Sequence, residues 1–197
     1  HLLNDSVDYN AGTNRYTENF NGRHSPILGW VSDGHPIYGP YGFSDPVDPD
    51  SPVRLLSSGY QKRDGSNGST NLSRTGRSSL PAWANRLQGR STTLSTNQYG
   101  PAVSTTYILG HYLEDYAYKG DLGLSQGVNF DLDEYNGRFC VTPEFPEGVW
   151  AYFTTISTDG TPVFPYNIGR NFYGTPNGGS VNAIPGNASL SFVGGPS

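Results

Sequence analysis

Apolar residues concentrate in two blocks of this chain, residues 24–60 and 129–168, set apart by polar, Gly- and Ser-rich stretches. In the first block an apolar run at 26–31 meets Asp33-Gly34, a turn dipeptide, and then Pro36, Gly39, Pro40 and Gly42 interleaved with Ile37, Tyr38, Tyr41 and Phe43. The pattern predicts a buried strand followed by a closely pinned backbone, with Trp30 and Ile37 in the core. It also predicts Gly34, Gly39 or Gly42 at backbone angles that other residues avoid. In the second block the run at 149–156, rich in aromatic and β-branched residues, reads as a strand. The Asp159-Gly160 turn then returns it through 161–164 as a hairpin. Segment 61–79 has almost no apolar residues and predicts an exposed loop, since such a stretch buries too little surface to order itself. Residues 80–87 predict a short helix, with Ser79 as cap and Pro81 in the first turn, and a second is expected at 110–118.

Composition narrows the class. The 197 residues suit a single domain with a real core, and 26 Gly, 15 Pro and 14 Tyr favour short strands joined by turns. The expected fold is a mainly β, turn-rich domain, sandwich-like or irregular, with one or two short helices. It should span 1–173, leaving 174–197 as a Gly-, Pro- and Asn-rich tail with one late strand candidate at 189–193. A net charge of −5, with scattered Lys and Arg, gives no footprint for nucleic acid, and no apolar run is long enough for a membrane span. The chain has no Met and opens on His1, as expected of a processed product or fragment, so any export signal is expected upstream. Four glycosylation acceptors, Asn4, Asn67, Asn71 and Asn187, fit an extracellular or cell-surface glycoprotein. The single Cys140 has three readings, a buried inert thiol among Phe139, Val141 and Phe145, one half of a bridge to a partner elsewhere, or a catalytic thiol.

The strings SPILGW and DGHPIYGPYG within 25–42 resemble the signature of the secreted YHYH-domain family. The likeness continues at 112–123, 131–148 and 152–169. The Tyr-His-Tyr-His alternation that names the family does not occur in this chain and is expected upstream of His1. The resemblance implies a secreted domain and carries no reaction with it.

Candidate chemistry is sparse. His24 and His35, with Asp33 two residues before His35, form one candidate metal set, though no diagnostic metal spacing is present. His1 would clasp copper through its amine and imidazole if it were a free N-terminus. Asp131 and Asp133, with Asp121, offer hard oxygens for calcium, although the helix-loop-helix calcium spacing breaks at Tyr135, Asn136 and Thr142. The adjacent pairs Glu114-Asp115 and Asp133-Glu134 read as turn caps and partners for Arg138 or Lys119.

Two functions follow. The first is a non-enzymatic extracellular module that binds or assembles, through surplus Tyr and Trp rings, with itself, with other extracellular proteins or with glycans. The second is a secreted metalloenzyme that joins His24 and His35 to histidines upstream of residue 1.

Overall fold

The computed structural model describes residues 7–18 and 20–177. His1, Asn4, Asn187, the strand expected at 189–193 and the tail beyond Asn177 lie outside the described residues. Short strands dominate the rest, and the fold is an irregular, mainly β domain. One mixed sheet carries four of them: β3 (Ile27–Trp30), β4 (Pro36–Tyr38), β10 (Val149–Phe153) and β9 (Gly137–Cys140), in that order across the sheet. The outer pairs are antiparallel, while β4 and β10 run parallel. Three two-stranded ribbons complete the strands: β1 (Val7–Asn10) with β2 (Arg15–Glu18), β5 (Tyr41–Phe43) with β6 (Val53–Leu55), and β7 (Tyr60–Lys62) with β8 (Tyr116–Tyr118). Two short helices, α1 (Leu72–Thr75) and α2 (Ala82–Gln88), lie between β7 and β8.

Two apolar clusters hold these pieces. One face of the four-stranded sheet buries Tyr38, Cys140, Ala151 and Phe153 against Leu56 and Leu132. The second cluster packs Trp83 and Ala84 of α2 on Tyr60 and Phe164. Cys140 is the buried free thiol of the first reading. Burial pushes it up, and the neighbouring Arg138 guanidinium pulls the other way.

Several expectations are corrected. Trp30 is 61% exposed and Ile37 only half-buried. A register shift between Ile27 and Gly29 re-aims the end of β3, so Trp30 stands outside, its ring edge-on to Phe145 at 6.2 Å. The glycine expectation holds at Gly34, which takes a positive φ (+88°); Gly42 is required for a different reason, since a Cβ there would lie 2.9 Å from both Arg138 and Leu56. Segment 61–79 is not one exposed loop. It contains part of β7 and all of α1, and it buries Arg63, Leu72 and Arg77. Polar pairing orders it where apolar content does not: Leu72 N–H donates to the Arg63 carbonyl at 2.9 Å and Arg63 N–H to the Asp115 carbonyl at 2.8 Å. Residues 110–118 form no α-helix; a single 3₁₀ turn (Leu113–Asp115) leads into β8, because Asp115 is wanted inside while Leu113 stays exposed. The α2 helix lies close to the expected 80–87, but its N-cap is Pro81 and not Ser79, whose hydroxyl accepts from Arg63 instead. The 149–164 hairpin shrinks to one bridge, Ile156 to Pro162, around a turn closed by Gly160.

Candidate functional site

The face of the four-stranded sheet turned away from the core carries an aromatic and carboxylate cluster. Side chains alternate along a strand, so Ala151 and Phe153 point to the core while Trp150 and Tyr152 point outward. Phe139 lies opposite Trp150 and Gly137 opposite Tyr152 on β9. Tyr173 returns across this face, with ring centroids 4.8 Å from Trp150, 4.9 Å from Tyr152 and 4.8 Å from Tyr135. Its seat exists because residue 137 has no side chain: a Cβ there would lie 2.5 Å from the Tyr173 hydroxyl and 2.4 Å from the Ala151 carbonyl.

Two tight turns deliver the carboxylates. At the β3–β4 turn, Gly34 N–H donates to Val31 O and Val31 N–H to His35 O, both at 2.9 Å, which aims Asp33 at the sheet. Asp33 Oδ2 accepts the Tyr152 hydroxyl at 2.6 Å and the Gly174 N–H at 3.2 Å, and Oδ1 accepts His35 N–H at 3.3 Å. The Tyr152 hydroxyl in turn accepts Tyr173 N–H at 2.8 Å. Before β9, Asn136 adopts φ +65° and its amide donates to the carbonyls of Phe153 and Asn167, fixing the turn that carries Asp133. Asp133 Oδ1 accepts Tyr135 and Gly137 N–H, and Oδ2 accepts the Tyr173 hydroxyl at 2.6 Å.

The electrostatics of the two carboxylates diverge. Burial pushes Asp133 up to about 6, against the pull of the Tyr173 hydroxyl and two backbone N–H groups. Asp33 is less enclosed; burial raises it too, but the Tyr152 hydroxyl and the Gly174 and His35 N–H groups outweigh that and hold it below its ordinary value. Both phenols are pushed upward, first by burial and then by the carboxylates they serve. The His35 ring lies edge-on to Tyr173 at 5.7 Å. Its Nδ1 faces the Trp150 carbonyl at 3.0 Å, and a carbonyl only accepts, so Nδ1 carries the proton.

The expected metal sets are not gathered in this way. His24 belongs to the core side of the sheet, among Tyr38, Phe43 and Phe153, with Nδ1 on the Ser25 carbonyl at 2.8 Å and its pKa lowered by burial. His35 stands on the opposite face. Asp131 is consumed by a two-pronged pair with Arg54, at 2.6 and 2.8 Å, and by the Ser57 N–H and hydroxyl. Asp121 pairs with Arg86, as does Glu134. Among the described residues no group of three or more His, Cys, Asp or Glu side chains is placed to hold a metal ion. The partners expected of the carboxylate pairs also change: Asp115 takes Arg77, Glu114 takes Arg90, and Arg138 and Lys119 donate instead to the carbonyls of Phe43 and Ser58. Of the glycosylation acceptors, Asn67 is exposed, with its amide donating to Gln61, and the half-buried Asn71 caps α1 by accepting Arg74 N–H.

The Tyr173–Asp133 and Tyr152–Asp33 pairs were not foreseen. The signal available was the alternation within 149–153, which separates Trp150 and Tyr152 from the core residues, together with Gly137 facing Tyr152. At the free edge of the face, Trp150 and Phe139 remain 44% and 42% exposed, ring against ring at 5.8 Å.

The protein is thus an irregular mainly β domain with an aromatic outer sheet face. Residues 8–164 match the family described as YHYH protein, and the chain belongs to that family. It matches no curated protein and no solved structure.

Proposed function

We propose that this chain is a non-catalytic extracellular module whose outer sheet face docks another polypeptide, in the first instance a second copy of itself. The observation that carries the reading is the Trp150–Phe139 pair, two large rings left side by side in solvent on a rigid strand pair. Such rings supply contact area at little entropic cost and recur at the centres of interfaces. On the same face Asp33 and Asp133 each accept a phenol hydroxyl, and His35 Nδ1 donates to a backbone carbonyl, which fixes the side chains around the two rings. Charge and sequons support an extracellular setting, where an acidic, Asn-glycosylated surface is ordinary.

The test is light scattering on the intact secreted protein, beside a double variant, Trp150→Ala with Phe139→Ala, that retains its melting temperature. Association in the wild type and its loss in the variant is the expected result. A wild type that stays monomeric at high concentration and retains no extracellular protein overturns the reading. Binding to a glycan array that depends on the same two rings would replace the polypeptide by a carbohydrate and overturn the proposed partner.

A further inference from the structure

A cleft lies away from the sheet face, between α1, the residues that flank α2 and the 94–115 segment, with a volume of about 220 Å³. Three guanidinium groups, Arg63, Arg77 and Arg90, line it together with Leu72, Leu80 and Leu94. The arginines are not equivalent. Arg77 has its counterion: Nε and Nη2 grip Asp115 at 2.7 Å each, the remaining donors reach the carbonyls of Pro101, Tyr107 and Ile108, and the plane lies over the Tyr112 ring at 4.8 Å. Asp115 is also saturated, since Oδ2 accepts Gly110 and Tyr112 N–H besides Arg77. Arg90 pairs with Glu114 at the open side, where both are partly exposed.

Arg63 has no such partner. It is 2% exposed, and its guanidinium meets neutral oxygens: the Ser79 carbonyl at 2.8 Å, the Ser79 hydroxyl at 2.7 Å and the Glu114 carbonyl at 3.0 Å. Among the described residues no carboxylate lies within ion-pairing distance of it. Three positive groups therefore face two negative ones, and the uncompensated cation is the buried one. Burial holds the Arg63 guanidinium below its ordinary value, with Asp115 pulling back only in part. An unpaired buried charge is costly, and a ligand that supplies the counterion recovers that cost on binding. In a chain of net charge −5, this is a local excess of the opposite sign.

We propose that this cleft is a binding site for a small carboxylate with an apolar body. A carboxylate offers the two coplanar oxygens that match a guanidinium fork. The half-buried Leu80 and Leu94, with Leu72 beneath, provide the wall for hydrocarbon. The volume is below the roughly 300 Å³ at which drug-sized ligand pockets begin, which limits the occupant to fragment size. The site is separate from the Trp150–Phe139 surface, and the two readings stand or fall independently.

The test is titration calorimetry with hexanoate and with hexanamide, its uncharged counterpart, on the intact domain. Hexanoate should bind at least about tenfold more tightly, because the amide leaves the buried cation unneutralised. Arg63→Gln should abolish that preference. Because Arg63 also bonds three protein oxygens, Leu94→Trp provides a second route: it fills the cleft from a half-buried position and should abolish hexanoate binding at an unchanged melting temperature. Hexanamide binding as tightly as hexanoate, hexanoate binding that survives Leu94→Trp in full, or no hexanoate binding at millimolar concentration would each overturn the proposal. So would inorganic phosphate binding as tightly as hexanoate, since the leucine wall would then contribute nothing.

Discussion

At the scale of single residues, space decides more than hydrophobicity. Gly137 has an ordinary strand role, yet the Tyr173 ring and the Ala151 carbonyl both occupy the volume a side chain would need. Gly137→Ala should therefore destabilise the fold by about 1–3 kcal/mol, the usual cost of overpacking, and lower the denaturation midpoint. An unchanged midpoint would mean that neither Tyr173 nor the Ala151 carbonyl fills the space beside residue 137. Trp30 is the opposite case: the largest side chain in its segment is mostly in water. Trp30→Ala should change stability by no more than about 0.5 kcal/mol, where a core tryptophan would cost about 3–5. Nothing in the run SPILGW separates these outcomes, because the register shift between Ile27 and Gly29 arises from pairing with β4, a long-range event invisible to local pattern.

At the scale of elements, β10 was legible because aromatic and β-branched residues concentrate at 149–156, whereas β9, a Gly-Arg-Phe-Cys stretch without such a concentration, was not. Helix α2 was legible through Pro81 and the apolar spacing that follows it, although the cap falls on Pro81 and not on Ser79. Segments 61–79 and 110–118 were not. Their order comes from ions and backbone groups: Arg77 reaches Asp115 from one segment to the other, and Arg63 ties Ser79 to Glu114. Local apolar content cannot report such pairing, and a polar stretch reads as solvent-facing when its charges are in fact partners. Asp115 is wholly buried; burial would raise it, but Arg77 and the Gly110 and Tyr112 N–H groups hold it low. Asp115→Asn, which leaves the Arg77 charge buried without a counterion, should cost about 3–5 kcal/mol and loosen both segments together. Hydrogen exchange would show this as faster exchange in α1 and β8, while β9 and β10 stay protected. A loss confined to 110–115 would mean that the two segments are ordered separately.

At the scale of the molecule, the two apolar clusters and the outer sheet face are tied through the stretch around Asp133. The Tyr60 hydroxyl of the second cluster donates to the Glu134 carbonyl, Leu132 belongs to the first cluster, and Asp133 holds Tyr173 on the sheet. The ionisation of Asp133 is thereby a property of the whole fold. Its pKa is about 6 in the folded protein against an ordinary 3.8, so the folded state holds this proton more tightly than the unfolded chain does. The sign follows from linkage: the favourable contribution is fully present below about pH 3.8 and is lost as pH rises through about 6. Asp133→Asn removes the titration and leaves the other carboxylates in place. The stability difference between wild type and variant, read from denaturant midpoints, should therefore move against the wild type between pH 4 and pH 6 by on the order of 2–3 kcal/mol and level off above pH 7. Tryptophan fluorescence should track the same window if Tyr173 shifts against Trp150 as the proton leaves. A difference that stays flat from pH 4 to pH 7 would show that Asp133 is ionised throughout, with its two backbone N–H groups and the Tyr173 hydroxyl outweighing its burial.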